Sequence, residues 1–137
     1  MFHSKTHLRM LERIVSETHF SLIPCKENHL SGTALVPGAI GQKSIFGDDF
    51  YRGLQSQREI AFVEESFVDR LLSQQQHLPP TWKEKEFIGF FTQETLGTNK
   101  VTTLRYDKSS GKFKKDYHFF TGGCFGTERP VLVRLLA

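Results

Sequence analysis

The segment KVTTLRYDKSSGKFKKDYHFF, residues 100–120, restricts the fold of this 137-residue chain more than any other stretch. Two runs rich in Val, Thr, Tyr and Phe flank Ser109-Ser110-Gly111, and the glycine supplies the positive φ that a tight reversal needs. Strands Lys100–Asp107 and Lys112–Phe120 are therefore expected as an antiparallel hairpin. A two-residue turn centred on Ser110-Gly111 sets Leu104 opposite Tyr117, Thr102 opposite Phe119 and Tyr106 opposite Lys115. On the other face it sets Arg105 opposite Asp116, Asp107 opposite Lys114 and Thr103 opposite His118. Opposite-charge and aliphatic–aromatic pairs arise together in this register, which is the chemistry that favours cross-strand neighbours.

An isolated hairpin is marginal and must bury a face against other elements. Thirteen Phe in a chain that is 38% hydrophobic supply the core, and flat rings pack well on sheet faces and against helices. Further extended segments are expected at Thr33–Val36, at Glu86–Thr92 (EFIGFFT) and in VLVRLLA after Pro130. Apolar residues Leu8, Leu11 and Val15 recur at helical spacing between Ser4 and Glu17. Gly47-Asp48-Asp49 offers a start for a short helix to Leu54. Ser56-Gln57-Arg58-Glu59 reads as a capping box, with Ile60, Val63, Phe67 and Leu71 tracing one face behind it. That pattern predicts a helix over 57–75, closed by the prolines of QQQHLPP. The expected fold class is α+β: N-terminal helices packed on a C-terminal antiparallel sheet of about four strands, in a single domain over 1–137.

Charge is unevenly spread, although the net is only +3. Residues 48–69 carry six acids against two bases, and residues 98–118 carry six bases against two acids. Either these segments neutralise each other or the hairpin presents cations to a polyanion. Lys100, Arg105, Lys108, Lys112, Lys114 and Lys115 interleave with Tyr106, Phe113 and Tyr117, the mixture of cations for phosphates and rings for bases that binds single-stranded nucleic acid. A small binding domain that contacts nucleic acid or another polyanion through hairpin 100–117 is the leading expectation.

Two other classes compete with it. In YHFFTGGCFG, residues 117–126, Cys124 lies among glycines whose N–H groups can approach an oxyanion, with His118 as a base. This describes a thiol-dependent hydrolase or transferase with Cys124 as nucleophile, and Gly122 and Gly123 at the oxyanion. His19 and His29 compete for the base, and the same glycines also make a tight turn. A protein-interaction module of inhibitor, immunity or adaptor type, using loop 32–47 and the acidic helix, is the third class.

VPGAIGQKS, residues 36–44, departs from a phosphate-binding loop because Gln42 separates Gly41 from Lys43. His19, Cys25 and His29 fall short of a zinc ligand set, so no metal and no cofactor are expected. Arg9, Glu12 and Arg13 interrupt any secretory leader, and no apolar run approaches the roughly 18 residues of a membrane span. Two cysteines suit a reducing compartment. A soluble cytoplasmic protein without a membrane partner is the expectation.

Overall fold

The computed structural model describes residues 20–40, 43–95 and 97–136. The helix expected over 4–17, and His19 beyond it, lie outside these residues. The described chain is mostly strand: β1 (Ile23–Pro24), β2 (Thr33–Val36), β3 (Ala39–Ile40), β4 (Lys43–Phe46), β5 (Ile60–Ala61), β6 (Ile88–Phe90), β7 (Lys100–Asp107), β8 (Lys112–Phe119), β9 (Cys124–Phe125) and β10 (Val131–Leu135). Helices α1 (Gly47–Gln55) and α2 (Glu65–Ser73) are the only α-helices among the described residues. The large sheet has seven strands in the order β1-β2-β10-β6-β7-β8, with β5 also on β10; a small sheet runs β3-β4-β9.

The expected four-stranded antiparallel sheet under N-terminal helices is thereby overturned. The large sheet is mixed, because β10 runs antiparallel to β2 but parallel to β6, where Val131 pairs with Gly89. The sheet is also covered on both faces. Successive residues Val131, Leu132 and Val133 are all buried, and they alternate between two apolar clusters. One cluster gathers Phe50, Phe87, Phe91, Phe120 and Phe125 under α1 and the small sheet. The other gathers Val68, Leu71, Trp82, Phe90 and Phe113 under α2. Strands buried on both sides read as continuous apolar runs rather than as alternation, and VLV does so.

The helix expected over 57–75 starts eight residues late. Ile60 and Ala61 are drawn into the sheet, opposite Leu135 and Arg134 of β10. Ser56 closes α1 instead of opening a helix: its N–H donates to the Arg52 carbonyl and its hydroxyl to Gly53 O. The cap of α2 comes from far along the chain, since the Glu65 N–H donates to Glu94 Oε1 at 3.0 Å. A tertiary partner thus outweighed a local signal. The short helix at 48–54, strand Thr33–Val36 and the two hairpin arms stand where their patterns put them.

The hairpin register differs from expectation by two residues. Arg105 faces Lys114, Leu104 faces Lys115 and Tyr106 faces Phe113. The loop is Lys108–Gly111, longer than a two-residue turn, and Asp107 organises it. Its carboxylate accepts from the Ser109 N–H at 3.1 Å, from Ser109 Oγ at 2.8 Å and from Ser110 Oγ at 3.0 Å. The Gly111 N–H returns to the Asp107 carbonyl at 2.8 Å, with Gly111 at φ 70°. An aspartate that satisfies its own loop favours the longer reversal over the tight one.

Candidate functional site

The hairpin is held rigidly from one side. On the face shared by Thr102, Leu104, Phe113 and Lys115, helix α2 brings Glu65 and Asp69 onto the strands. Lys115 Nζ lies 2.6 Å from Glu65 Oε2 and 2.9 Å from Asp69 Oδ1. Glu65 Oε1 accepts from Thr92 Oγ1 at 3.0 Å and also from Thr102 Oγ1. Burial alone would raise the Glu65 carboxyl, but Lys115 and the two hydroxyls outweigh it and hold the carboxyl below its usual value. Burial likewise opposes the Lys115 charge, and its two carboxylates prevail and raise it. The acidic helix face and one basic strand position therefore do neutralise each other. This network left only a charge asymmetry in the sequence as its signal.

Toward the loop, the same face is closed by Tyr106 on Phe113 (ring centroids 5.2 Å apart), with Lys83 Nζ 5.1 Å from the Tyr106 ring. Phe113 is only 4% exposed. Three members of the expected nucleic-acid set, Tyr106, Phe113 and Lys115, are thus committed to the core or to ion pairs.

The opposite face near the loop is bare. Arg105, Lys108, Lys112 and Lys114 are all exposed there or at the tip, and Lys100 is exposed at the far end of β7. Lys114 reaches Asp107 Oδ2 at 2.9 Å and, ahead of the two serines, holds that carboxyl far below the usual range. Lys100, Arg105, Lys108 and Lys112 form no ion pair with any described residue. Two rings that the expected register placed opposite core positions turn outward at the end of β8: Tyr117 is 50% and Phe119 61% exposed. They lie on the α2 face, not on the face of Arg105 and Lys114, two positions apart, roughly 7 Å by the rise of a strand. Phe119 sits opposite Lys100, and Lys115 Nζ lies 5.7 Å from the Tyr117 ring. Of the rings expected at the surface, Tyr117 is there, whereas Phe113 is covered and Tyr106 half-covered, because the reach of α2 decides which rings on that face are buried.

Cys124 lies elsewhere, on the small sheet opposite Phe46 and exposed. An open cleft of about 370 Å³ beside it is lined by Ser44, Glu86, Thr127 and Arg129 among others. His118 is not on that wall; its half-buried ring packs at 5.3 Å from Phe87. The glycines make a turn: the Gly123 N–H donates to Phe120 O at 3.2 Å, and Gly122 sits at φ 79° between them. The Gly123 N–H is therefore engaged and the Gly123 carbonyl accepts from the Gly47 N–H at 2.8 Å. Arg129 donates to the Cys124 carbonyl at 3.2 Å and to Glu86 Oε2 at 2.5 Å, and its guanidinium lies over Phe87. That hydrogen bond, against a smaller opposing effect of burial, lowers the Glu86 carboxyl, with help from His118 and Arg105. Arg129 is thus satisfied as a brace across the turn.

The other motifs resolve as packing. Gly38 of VPGAIGQKS has no room for a side chain, since a Cβ would meet Phe125 Cβ at 2.2 Å, and its N–H donates to the Gly126 carbonyl. Cys25 is half-buried beside the α2-side cluster, and burial raises its thiol. The His29 and His77 rings lie 5.8 Å apart, and among the described residues no three potential ligands converge on a metal position. Both cysteines are free thiols, and no helix among the described residues is long and apolar enough to cross a membrane.

Compared with models of protein families, with curated proteins and with solved structures, the chain matches none.

Proposed function

We propose that the protein binds single-stranded nucleic acid along the β7–β8 hairpin. Phosphates engage Lys100, Arg105, Lys108, Lys112 and Lys114, and bases stack on Tyr117 and Phe119. The observation that carries this reading is the direct cross-strand pairing of Arg105 with Lys114 on a solvent-exposed face. Like charges placed opposite each other cost stability; Asp107 compensates Lys114 but not Arg105, for which a bound anion offsets the rest. On the other face of the same hairpin, the exposed Tyr117 and Phe119 rings beside Lys100 add a contact that every base can make. A strand that wraps the outer edge of β8 is therefore expected to bind with tolerance for many sequences.

The test is fluorescence anisotropy of labelled single-stranded RNA and DNA against the protein at rising salt. Each neutralised phosphate contributes about −0.7 to the slope of log affinity against log salt, so three to five engaged cations give about −2 to −3.5. Absence of binding at low salt would remove the reading. The thiol-enzyme reading gains less support, because the Gly123 N–H is spent in the turn and His118 faces Phe87.

A further inference from the structure

Strand β8 is the outer strand of the large sheet and spans eight residues with no proline. Its main chain points alternately toward β7 and away from it. Phe113 marks the outward set: its N–H donates to Gln75 Oε1 at 2.7 Å, and its carbonyl accepts from Gln75 Nε2 at 3.4 Å. One side-chain amide thus mimics a strand at that position. The inward set continues to Phe120, whose N–H donates to Asn99 O at 3.0 Å. Lys115, Tyr117 and Phe119 belong to the outward set, and no main chain among the described residues pairs with them. Only the Tyr117 N–H has a substitute partner, Asp116 Oδ1 at 2.8 Å. Lysines guard the loop half of this edge, but the half from Asp116 to Phe119 carries two exposed rings, and such an edge is a template for another strand.

We propose that β8 pairs antiparallel with β8 of a second copy of this chain, across a two-fold axis centred on Tyr117. The side chains select both the occupant and the register. Centred there, Asp116 faces His118 of the other copy, and Lys115 faces Phe119. Symmetry repeats each of these complementary pairs. A register centred on Lys115 would set two lysines opposite each other and would need the position at Phe113 that Gln75 already occupies. The two large sheets join into one, with main-chain bonds at Lys115, Tyr117 and Phe119. Side chains stand perpendicular to a sheet, so the Tyr117 and Phe119 rings of both copies remain on one common face. Pairing therefore widens the stacking surface of the nucleic-acid reading without depending on it.

One short strand pair is a small interface, so association in the range of roughly 10–100 µM is expected. Sedimentation equilibrium of the full chain, without nucleic acid, from low to high micromolar concentration should show a monomer passing to a dimer. Tyr117→Pro removes an outward N–H that β7 does not use, and Phe119→Lys sets lysines opposite Lys115. Each should weaken association at least tenfold with the far-UV circular dichroism unchanged. A monomer at every concentration overturns the proposal, as does a dimer that survives both variants. Slow hydrogen exchange at Tyr117 and Phe119 in a concentration-independent monomer overturns it too, by assigning the edge to another segment of the chain. A dimer sensitive to both variants that binds no oligonucleotide supports the pairing and counts against the nucleic-acid reading alone.

Discussion

Arg105 and Lys114 are direct cross-strand partners, two cations facing each other on an exposed face of the hairpin. Lys114 is drawn diagonally to Asp107, which leaves Arg105 with no ion pair among the described residues. Arg105→Glu would convert this repulsion into an attractive pair with Lys114. The variant should be more stable than the parent by about 0.2–1 kcal/mol, measured by urea denaturation, while its affinity for single-stranded RNA falls. Stability and binding moving in opposite directions is the mark of a position held for function. Both falling together would mean that Arg105 serves the fold.

Glu65 and Lys115 clamp α2 onto the hairpin. Glu65→Gln leaves the Lys115 ammonium with Asp69 alone and should cost about 1–3 kcal/mol near neutral pH. The sign with pH follows from the shifts. The folded Glu65 carboxyl lies below its unfolded value of about 4.3, so its contribution is complete above that value and is lost as pH falls through the folded one. Lys115 lies above its unfolded value of about 10.4, so its contribution is complete below that and is lost as pH rises through the folded value. The stability difference between parent and Glu65→Gln should therefore be flat from about pH 5 to 10 and shrink in acid. A difference that grows in acid would contradict the pairing.

Gly47 opens α1 where a Cβ would stand 2.1 Å from the Phe120 carbonyl oxygen. Alanine normally favours a helix over glycine, yet Gly47→Ala should destabilise by roughly 1–3 kcal/mol because backbone has to move. Thermal melts of Gly47→Ala beside the parent decide this, and an unchanged or raised Tm would show that α1 is not seated against Phe120.

Cys124 is exposed, whereas Cys25 is half-buried with its thiol raised by burial. Iodoacetamide at pH 7.5 should modify Cys124 well before Cys25, as read by peptide mass spectrometry of timed samples. Equal rates would place the small sheet differently.

The parts that were legible in the sequence are those governed by local chemistry. Thr33–Val36, the short helix after Gly47 and both hairpin arms have their own periodicity and breakers, and the structure keeps them. The parts that were not legible are set by partners distant along the chain. Nothing near Glu65 announces that Glu94 caps it, nor that β10 recruits Ile60 and Ala61. Asp107 both satisfies its own loop and reaches Lys114 on the diagonal, so the ion pair that opposite-charge counting wanted forms without the register that counting implied. At the candidate site, the cations were legible from their sequence run. Of the exposed rings, Tyr117 belonged to that run and Phe119 did not, since Phe113 and Phe119 share one face and only α2 distinguishes them.

The central claim is that this hairpin binds single-stranded nucleic acid, and one anisotropy titration tests it most directly. The parent is compared at low salt with Arg105→Glu/Lys112→Glu/Lys114→Glu, whose altered side chains are all exposed. The account predicts that the parent binds a labelled oligonucleotide with strong salt dependence and that the triple variant, still folded by far-UV circular dichroism, binds at least tenfold more weakly. Equal binding by parent and variant, or none by either, would contradict it.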